Sequence, residues 1–253
     1  MCIRDRVLDV YEPGKNPRME KRCFGSDYEL VAALGLAFAH GLVQGGVLPV
    51  AKYFPGYGPA EQMAYRRLAV LATSEEAFAS LVLPFRWAAD CDIPGILVGH
   101  IAVPSMNPDE PKRPASVSHS LIQGVLREQW NYPGVVLAED LAMEAVASSR
   151  APERAAIEAF KAGNDAIVYL DRDPDRIRLI CQAVEQALEE SVLSRDQLHA
   201  SIQSLDRWRK RLEEGPTLKE PLPQLASAAP VPTARLPEDC LLYTSPSPRD
   251  RTR

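Results

Sequence analysis

The feature that most constrains this chain is an alternation of short apolar runs with helix-period patterns. The runs are Val7–Val10, Val47–Tyr53, Gly95–His100, Val135–Glu139 and Ala166–Leu170. Runs this short, separated by amphipathic helical stretches, mark parallel βα units, because a parallel strand needs a crossover helix to return the chain. The helices between them have readable starts. Ser26-x-x-Glu29 and Thr73-x-x-Glu76 have the spacing of capping boxes, and Asp173–Pro174 is a cap followed by proline at the first helical position. Ser194-x-x-Gln197 opens a last helix expected to reach Glu214, while Gly45–Gly46 and Gly163 stand where helices should stop. Polar residues collect just past the ends of the runs: Asp9, Lys52, His100, Glu139 and Asp140. A (β/α)₈ barrel builds its active site at that face. No G-x-G-x-x-G follows any run, which disfavours an open nucleotide-binding sheet. Five units fall short of the eight that close a barrel. The expected fold class is therefore α/β, an N-terminally truncated (β/α)₈ TIM barrel.

The two ends set which residues belong to that fold. Met1–Arg6 and Cys240–Thr244 can be encoded by opposite strands of one oligonucleotide, as a translated sequencing adapter would be. Residues 1–6 and 240–253 are accordingly left out of the fold. The expected barrel domain spans 7–214, and the proline- and alanine-rich stretch 215–239 reads as a tail or linker. The excluded ends carry a net +3, so the remainder moves from a formal −5 to −8. An acidic chain without a block of Lys and Arg is a poor partner for nucleic acid or an anionic membrane. No apolar run reaches the ~18 residues of a membrane helix. Cys23, Cys91 and Cys181 lack the spacing of a disulfide framework or a zinc site and read as buried thiols. No metal or cofactor is expected.

Four segments then follow one another in order: "NPRMEKRCFGSD" (Asn16–Asp27), "AKYFPGYG" (Ala51–Gly58), "LVGHIAVPSMNPDEPKRPASVS" (Leu97–Ser118) and "GVVLAEDLAMEAV" (Gly134–Val146). Together they resemble the N-terminal barrel domain of glycoside hydrolase family 3, over roughly Val7 to Leu212. The nearest branch is that of the bacterial β-N-acetylglucosaminidases of peptidoglycan recycling. That branch reads N-P…R-S-F-G-x-D, K-H-F-P-G-H-G, D-S-H-x-x-L-P, A-H and S-D-D-L-x-M. The resemblance implies retaining hydrolysis: an aspartate attacks the anomeric carbon, and a histidine on a mobile loop, tuned by an aspartate, serves as acid and base. It also implies a small carbohydrate ligand of the N-acetylglucosamine type.

Carried over residue by residue, the resemblance leaves a mixed site. Arg22, Lys52 and His100 keep the family residues that hold the sugar. Tyr53 stands at the histidine of K-H and Tyr57 at the histidine of G-H-G. The D-S-H triplet falls on Met63-Ala64-Tyr65, which puts methionine at the tuning aspartate and Tyr65 at the acid/base histidine. Glu139 takes the nucleophile position and Asp140 the second carboxylate. Methionine cannot orient an imidazole, and a phenol with an ordinary pKa of ~10 is a weak acid near neutrality. Glutamate carries the carboxylate on the order of 1.5 Å further than aspartate. Near-attack geometry is sensitive to errors of ~1 Å.

Two functions fit these residues. One is a hydrolase of terminal β-linked N-acetylhexosamine, weakened or retargeted, with Glu139 as nucleophile. The other is a non-catalytic sugar-binding or regulatory homologue. Of the remaining chemistry-bearing residues, His40, His119 and His199 have no ligand spacing, and Ser116 and Ser118 have no histidine and aspartate in sequence to make a nucleophile of them.

Overall fold

The computed structural model describes residues 7–60 and 67–219. Its strands are β1 (Val50–Phe54), β2 (Ala69–Val70), β3 (Gly95–Val98), β4 (Ile101–Ala102), β5 (Val135–Ala138) and β6 (Ala166–Ile167). β1, β3, β5 and β6 form one parallel sheet in that spatial order, and β2 pairs parallel with β4 in a second. The helices are α1 (Pro17–Glu20), α2 (Tyr28–Gln44), α3 (Glu75–Leu81), α4 (Leu83–Asp90), α5 (Glu144–Ala147), α6 (Pro152–Ala162), α7 (Pro174–Glu189) and α8 (Arg195–Glu214). A π-helix, Ser120–Gln129, stands between β4 and β5. The βα alternation and the parallel sheet are those expected of part of a barrel.

The Val7–Val10 run is the exception among the expected strands. It is buried throughout but forms no ladder; the Leu8 N–H donates to the Lys52 carbonyl at 2.6 Å and seats the run beside β1. Two caps also sit one residue later than the spacing suggests. Asp27, not Ser26, accepts from the Leu30 N–H at 2.8 Å, and Ser74, not Thr73, accepts from Ala77 at 3.2 Å. Asp173 and Ser194 cap α7 and α8 as expected. Gly163 ends α6 in the left-handed region, φ 107°, which a side chain would strain.

In two neighbouring rows across β1, β3 and β5, residues in register share their degree of burial, because their side chains point to the same face. Ala51, Ile96 and Val136 lie side by side in register and are buried, whereas the neighbouring row Lys52, Leu97 and Leu137 is half-buried. Over the buried layer, α6 presents Ala155, Ala156 and Ala159 to Val117, Ala138, Leu141 and Val146. Alanines at that spacing let the helix approach closely, so a larger residue there would overpack by ~1–3 kcal/mol.

At the N-terminal ends of the strands one guanidinium organises the backbone. Arg127, from the π-helix, donates to the carbonyls of Tyr132 and Gly134 at 2.7 Å each and pairs with Asp165. Asp165 in turn accepts from the Val136 N–H at 2.8 Å, and the Tyr132 hydroxyl donates to the Ile93 carbonyl at 2.8 Å. The stretch after α8 is held as well. The Arg211 guanidinium donates to the carbonyls of Asp92 and Thr217, and Lys219 pairs with Asp92 at 2.9 Å. The expected tail from Gly215 is thus anchored to residue 92 through Lys219. Cys23 and Cys91 are buried as expected, but Cys181 is exposed on α7. Among the described residues no helix is long and apolar enough to cross a membrane.

Candidate active site

The C-terminal ends of β1, β3 and β5, with the Val7–Val10 run beside β1, bring Asp9, Tyr53, Tyr57, His100 and Glu139 into one cluster with Tyr57 at its centre. The Tyr57 hydroxyl donates to Glu139 Oε2 at 3.2 Å and accepts from the His100 backbone N–H at 2.5 Å. Its own N–H donates to Asp9 Oδ1 at 2.6 Å, and the Gly58 N–H adds a second bond to the same oxygen at 3.0 Å. The turn is tight for steric reasons. A Cβ at Gly58 would fall 1.5 Å from the Val10 carbonyl oxygen, and one at Gly99 would fall 2.7 Å from the Tyr57 hydroxyl. Only glycine fits at either place.

Burial dominates the electrostatics of the cluster. Glu139 is raised to about 7, chiefly because burial disfavours its charge; the Tyr57 hydrogen bond, the His100 amide and Lys52 offset only part of that. Asp9 is likewise raised to about 7 by burial, against the two backbone donors and Arg22, and its Oδ2 has no hydrogen-bond partner among the described residues. Burial lifts the Tyr57 phenol well above its ordinary value, so it stays protonated.

The residues expected to hold a sugar divide into two groups. Arg22, Lys52 and Tyr53 converge. The Arg22 guanidinium lies 5.4 Å from the Tyr53 ring centroid and donates to its hydroxyl at 3.3 Å, and the Lys52 ammonium is 5.6 Å from the same centroid. Both are within cation–π range of one ring. Tyr53 also packs edge-to-face on Tyr57, with centroids 5.5 Å apart, which joins this group to Glu139. His100 belongs to the buried framework instead. It is fully buried, with Nε2 2.8 Å from the Asp140 carbonyl and Nδ1 2.7 Å from Ser116 Oγ. A carbonyl only accepts, so Nε2 carries the proton and the Ser116 hydroxyl donates to Nδ1. Burial lowers the imidazole to about 4, in keeping with a neutral ring. A direct sugar contact would require one of these bonds to break.

Ser116 therefore has the histidine neighbour that its local sequence does not suggest, but it is fully buried and serves the ring. Asp140 is structural too: its Oδ1 accepts from the N–H groups of Ala142 and Leu170, tying the end of β5 to the end of β6. Met63 and Tyr65, expected at the dyad positions, lie outside the described residues. The residues that sequence reasoning undervalued are Asp9 and Tyr57. Both stood in view, Asp9 at the end of an apolar run and Tyr57 at a family histidine, but nothing in the linear order joins 9, 57, 100 and 139. Among the described residues no group of three His, Cys, Asp or Glu side chains is placed to hold a metal ion.

The profile of the glycosyl hydrolase family 3 N-terminal domain matches residues 6–207. The chain is 29% identical over 170 residues to a beta-hexosaminidase of Bordetella avium, covering 67% of this chain and 47% of that protein. It is 28% identical over 202 residues to beta-hexosaminidase LpqI of Mycobacterium tuberculosis, covering 78% of this chain and 50% of the relative. The chain thus spans about half the length of these curated relatives. Among solved structures it superimposes on a family 3 beta-N-acetylglucosaminidase from Paenibacillus with a TM-score of 0.78 and 27% identity, covering 90% of this chain and 40% of that one. This chain belongs to glycosyl hydrolase family 3, as part of its N-terminal barrel domain.

Proposed function

We propose that the protein to which this chain belongs is a glycoside hydrolase acting on terminal β-linked N-acetylhexosamine by a retaining mechanism, with Glu139 at the nucleophile position and its activity weakened or retargeted. The observation that carries this reading is the position of Glu139. Its carboxyl stands at the end of β5, joined through Tyr57 and Tyr53 to the two cations Arg22 and Lys52. In that reading Glu139 attacks the anomeric carbon as the bond to the leaving oxygen breaks, with Tyr65 at the acid/base position giving that oxygen its proton, and water, passing a proton back to Tyr65, later releases the sugar from the ester. Arg22 and Lys52 bind and orient sugar hydroxyls at the pocket. Attack needs the ionised carboxylate, and Glu139 is raised to about 7. Turnover should therefore rise with pH through about 7, rather than peak below it.

A second reading is favoured by the same carboxyl. A buried glutamate that is largely protonated below neutrality is a poor nucleophile, and a protein of that kind would bind the sugar without cleaving it. The full-length protein decides between them. Release of chromophore from an aryl β-N-acetylglucosaminide, followed from about pH 5 to about pH 9, should appear in the wild type and vanish in Glu139→Gln. Absence of turnover, with N-acetylglucosamine still raising the melting temperature, would leave the sugar-binding reading in place.

A further inference from the structure

We propose that Tyr57 is a positioning residue for Glu139: its hydroxyl, itself held in place, fixes the carboxyl at the end of β5 through a hydrogen bond to Oε2. The proposal rests on the reading of Glu139 as the reactive group, but its test does not require turnover. The geometry carries it. The hydroxyl is clamped from three sides, accepting from the His100 N–H, lying where a Cβ on Gly99 would collide, and donating to Glu139 Oε2. The backbone beneath is clamped as well, since Tyr57 and Gly58 both donate to Asp9. A fully buried phenol held this firmly has no freedom to turn away from the carboxyl.

The other groups that act on Glu139 come from each neighbouring element. Lys52 from β1 lowers its pKa, and so does the backbone amide of His100 after β3. Asp140, next in the chain, raises it, and a charge on Glu139 in turn raises Asp9. Replacing tyrosine by phenylalanine leaves all of these in place. It removes only the donor to Oε2 and an acceptor for His100. A hydrogen bond from a neutral donor to a carboxylate favours the charged form, so its loss must move the titration of Glu139 upward. A purely structural tyrosine would change stability and leave that titration where it was.

The measurement is a carboxyl-carbon NMR titration of the full chain labelled with ¹³C-glutamate, with the Glu139 resonance assigned from its disappearance in Glu139→Gln. Glutamate labelling keeps the Asp9 titration out of the record. The Glu139 midpoint is expected to rise by about one to two pH units in Tyr57→Phe, the worth of one hydrogen bond to a charged group. An unchanged midpoint in a folded Tyr57→Phe would overturn the proposal. Should that variant not fold, incorporation of 3-fluorotyrosine in place of tyrosine makes the phenol a stronger donor without changing its shape. The midpoint should then fall, and a midpoint that does not move would overturn the proposal equally. Failure of Glu139 to support turnover leaves this result untouched, so the proposal and the hydrolase reading can fail separately.

Discussion

The two ends of the central sheet are built on opposite principles. At the N-terminal ends of the strands Arg127 meets two carbonyls and a carboxylate, and that carboxylate meets a backbone N–H; every charge has a counter-charge and a hydrogen bond. At the C-terminal ends two carboxyls are buried against a tyrosine and glycine backbone. Both are pushed to about 7, and one oxygen of Asp9 has no partner among the described residues. Burying a polar group without pairing it costs free energy. The sheet tolerates that cost at the end where chemistry is proposed and avoids it at the other.

Breaking the paired end should give the largest effect. Arg127→Ala leaves Asp165 buried without its guanidinium and two carbonyls without their donor, and should cost about 3–5 kcal/mol in urea unfolding. The Glu139 titration should stay in place, which would separate the two ends as independent units. At the other end the effect should depend on pH. Asp9 binds its proton more tightly folded, at about 7, than unfolded, at 3.8. Its contribution to stability is fully present below the unfolded value and is lost as pH rises through about 7. Asp9→Asn should remove that slope, about 1.4 kcal/mol per pH unit between about pH 4 and about pH 7, as read from unfolding curves across that window.

A smaller effect is expected between the two ends. Ser116→Ala removes the donor to His100 Nδ1 and should cost about 1 kcal/mol. His100 itself runs against the carboxyls, since burial holds it at about 4. The stability it gives is present above its unfolded value of 6.5 and lost as pH falls through about 4. The smallest effect belongs to the solvent. Asp175 and Arg178 pair on α7 with both side chains mostly exposed, and Arg178→Ala should change the unfolding free energy by less than about 0.5 kcal/mol. A large effect there would mean that exposure is a poor guide to where this protein stores its stability.

Much of the fold is legible in the sequence because its signals are local. Gly95–Val98 and Val135–Ala138 fall inside their apolar runs, and α8 starts and ends where Ser194 and Glu214 place it. What fails locally fails for physical reasons. At both shifted caps a second capping side chain, Asp27 or Ser74, stands beside the expected one, and only the backbone angle decides between neighbours. Val7–Val10 reads as a strand because it is apolar, yet it is held by isolated hydrogen bonds. The site divides in the same way. Arg22, Lys52, Tyr53 and Glu139 are recoverable from motifs, but the burial of His100 is not, because both of its ring partners are distant in sequence or are backbone atoms. Asp9 and Tyr57 were visible as residues and invisible as a pair, since the bond between them spans 48 positions.

The close fit of Tyr57 against Gly99 has a bearing on protein engineering. With a Cβ at 99 only 2.7 Å from the phenolic oxygen, the two positions act as a single unit of exchange. A designer moving this tyrosine into another barrel would have to bring the glycine with it, and one placing a side chain at 99 would first have to shorten residue 57.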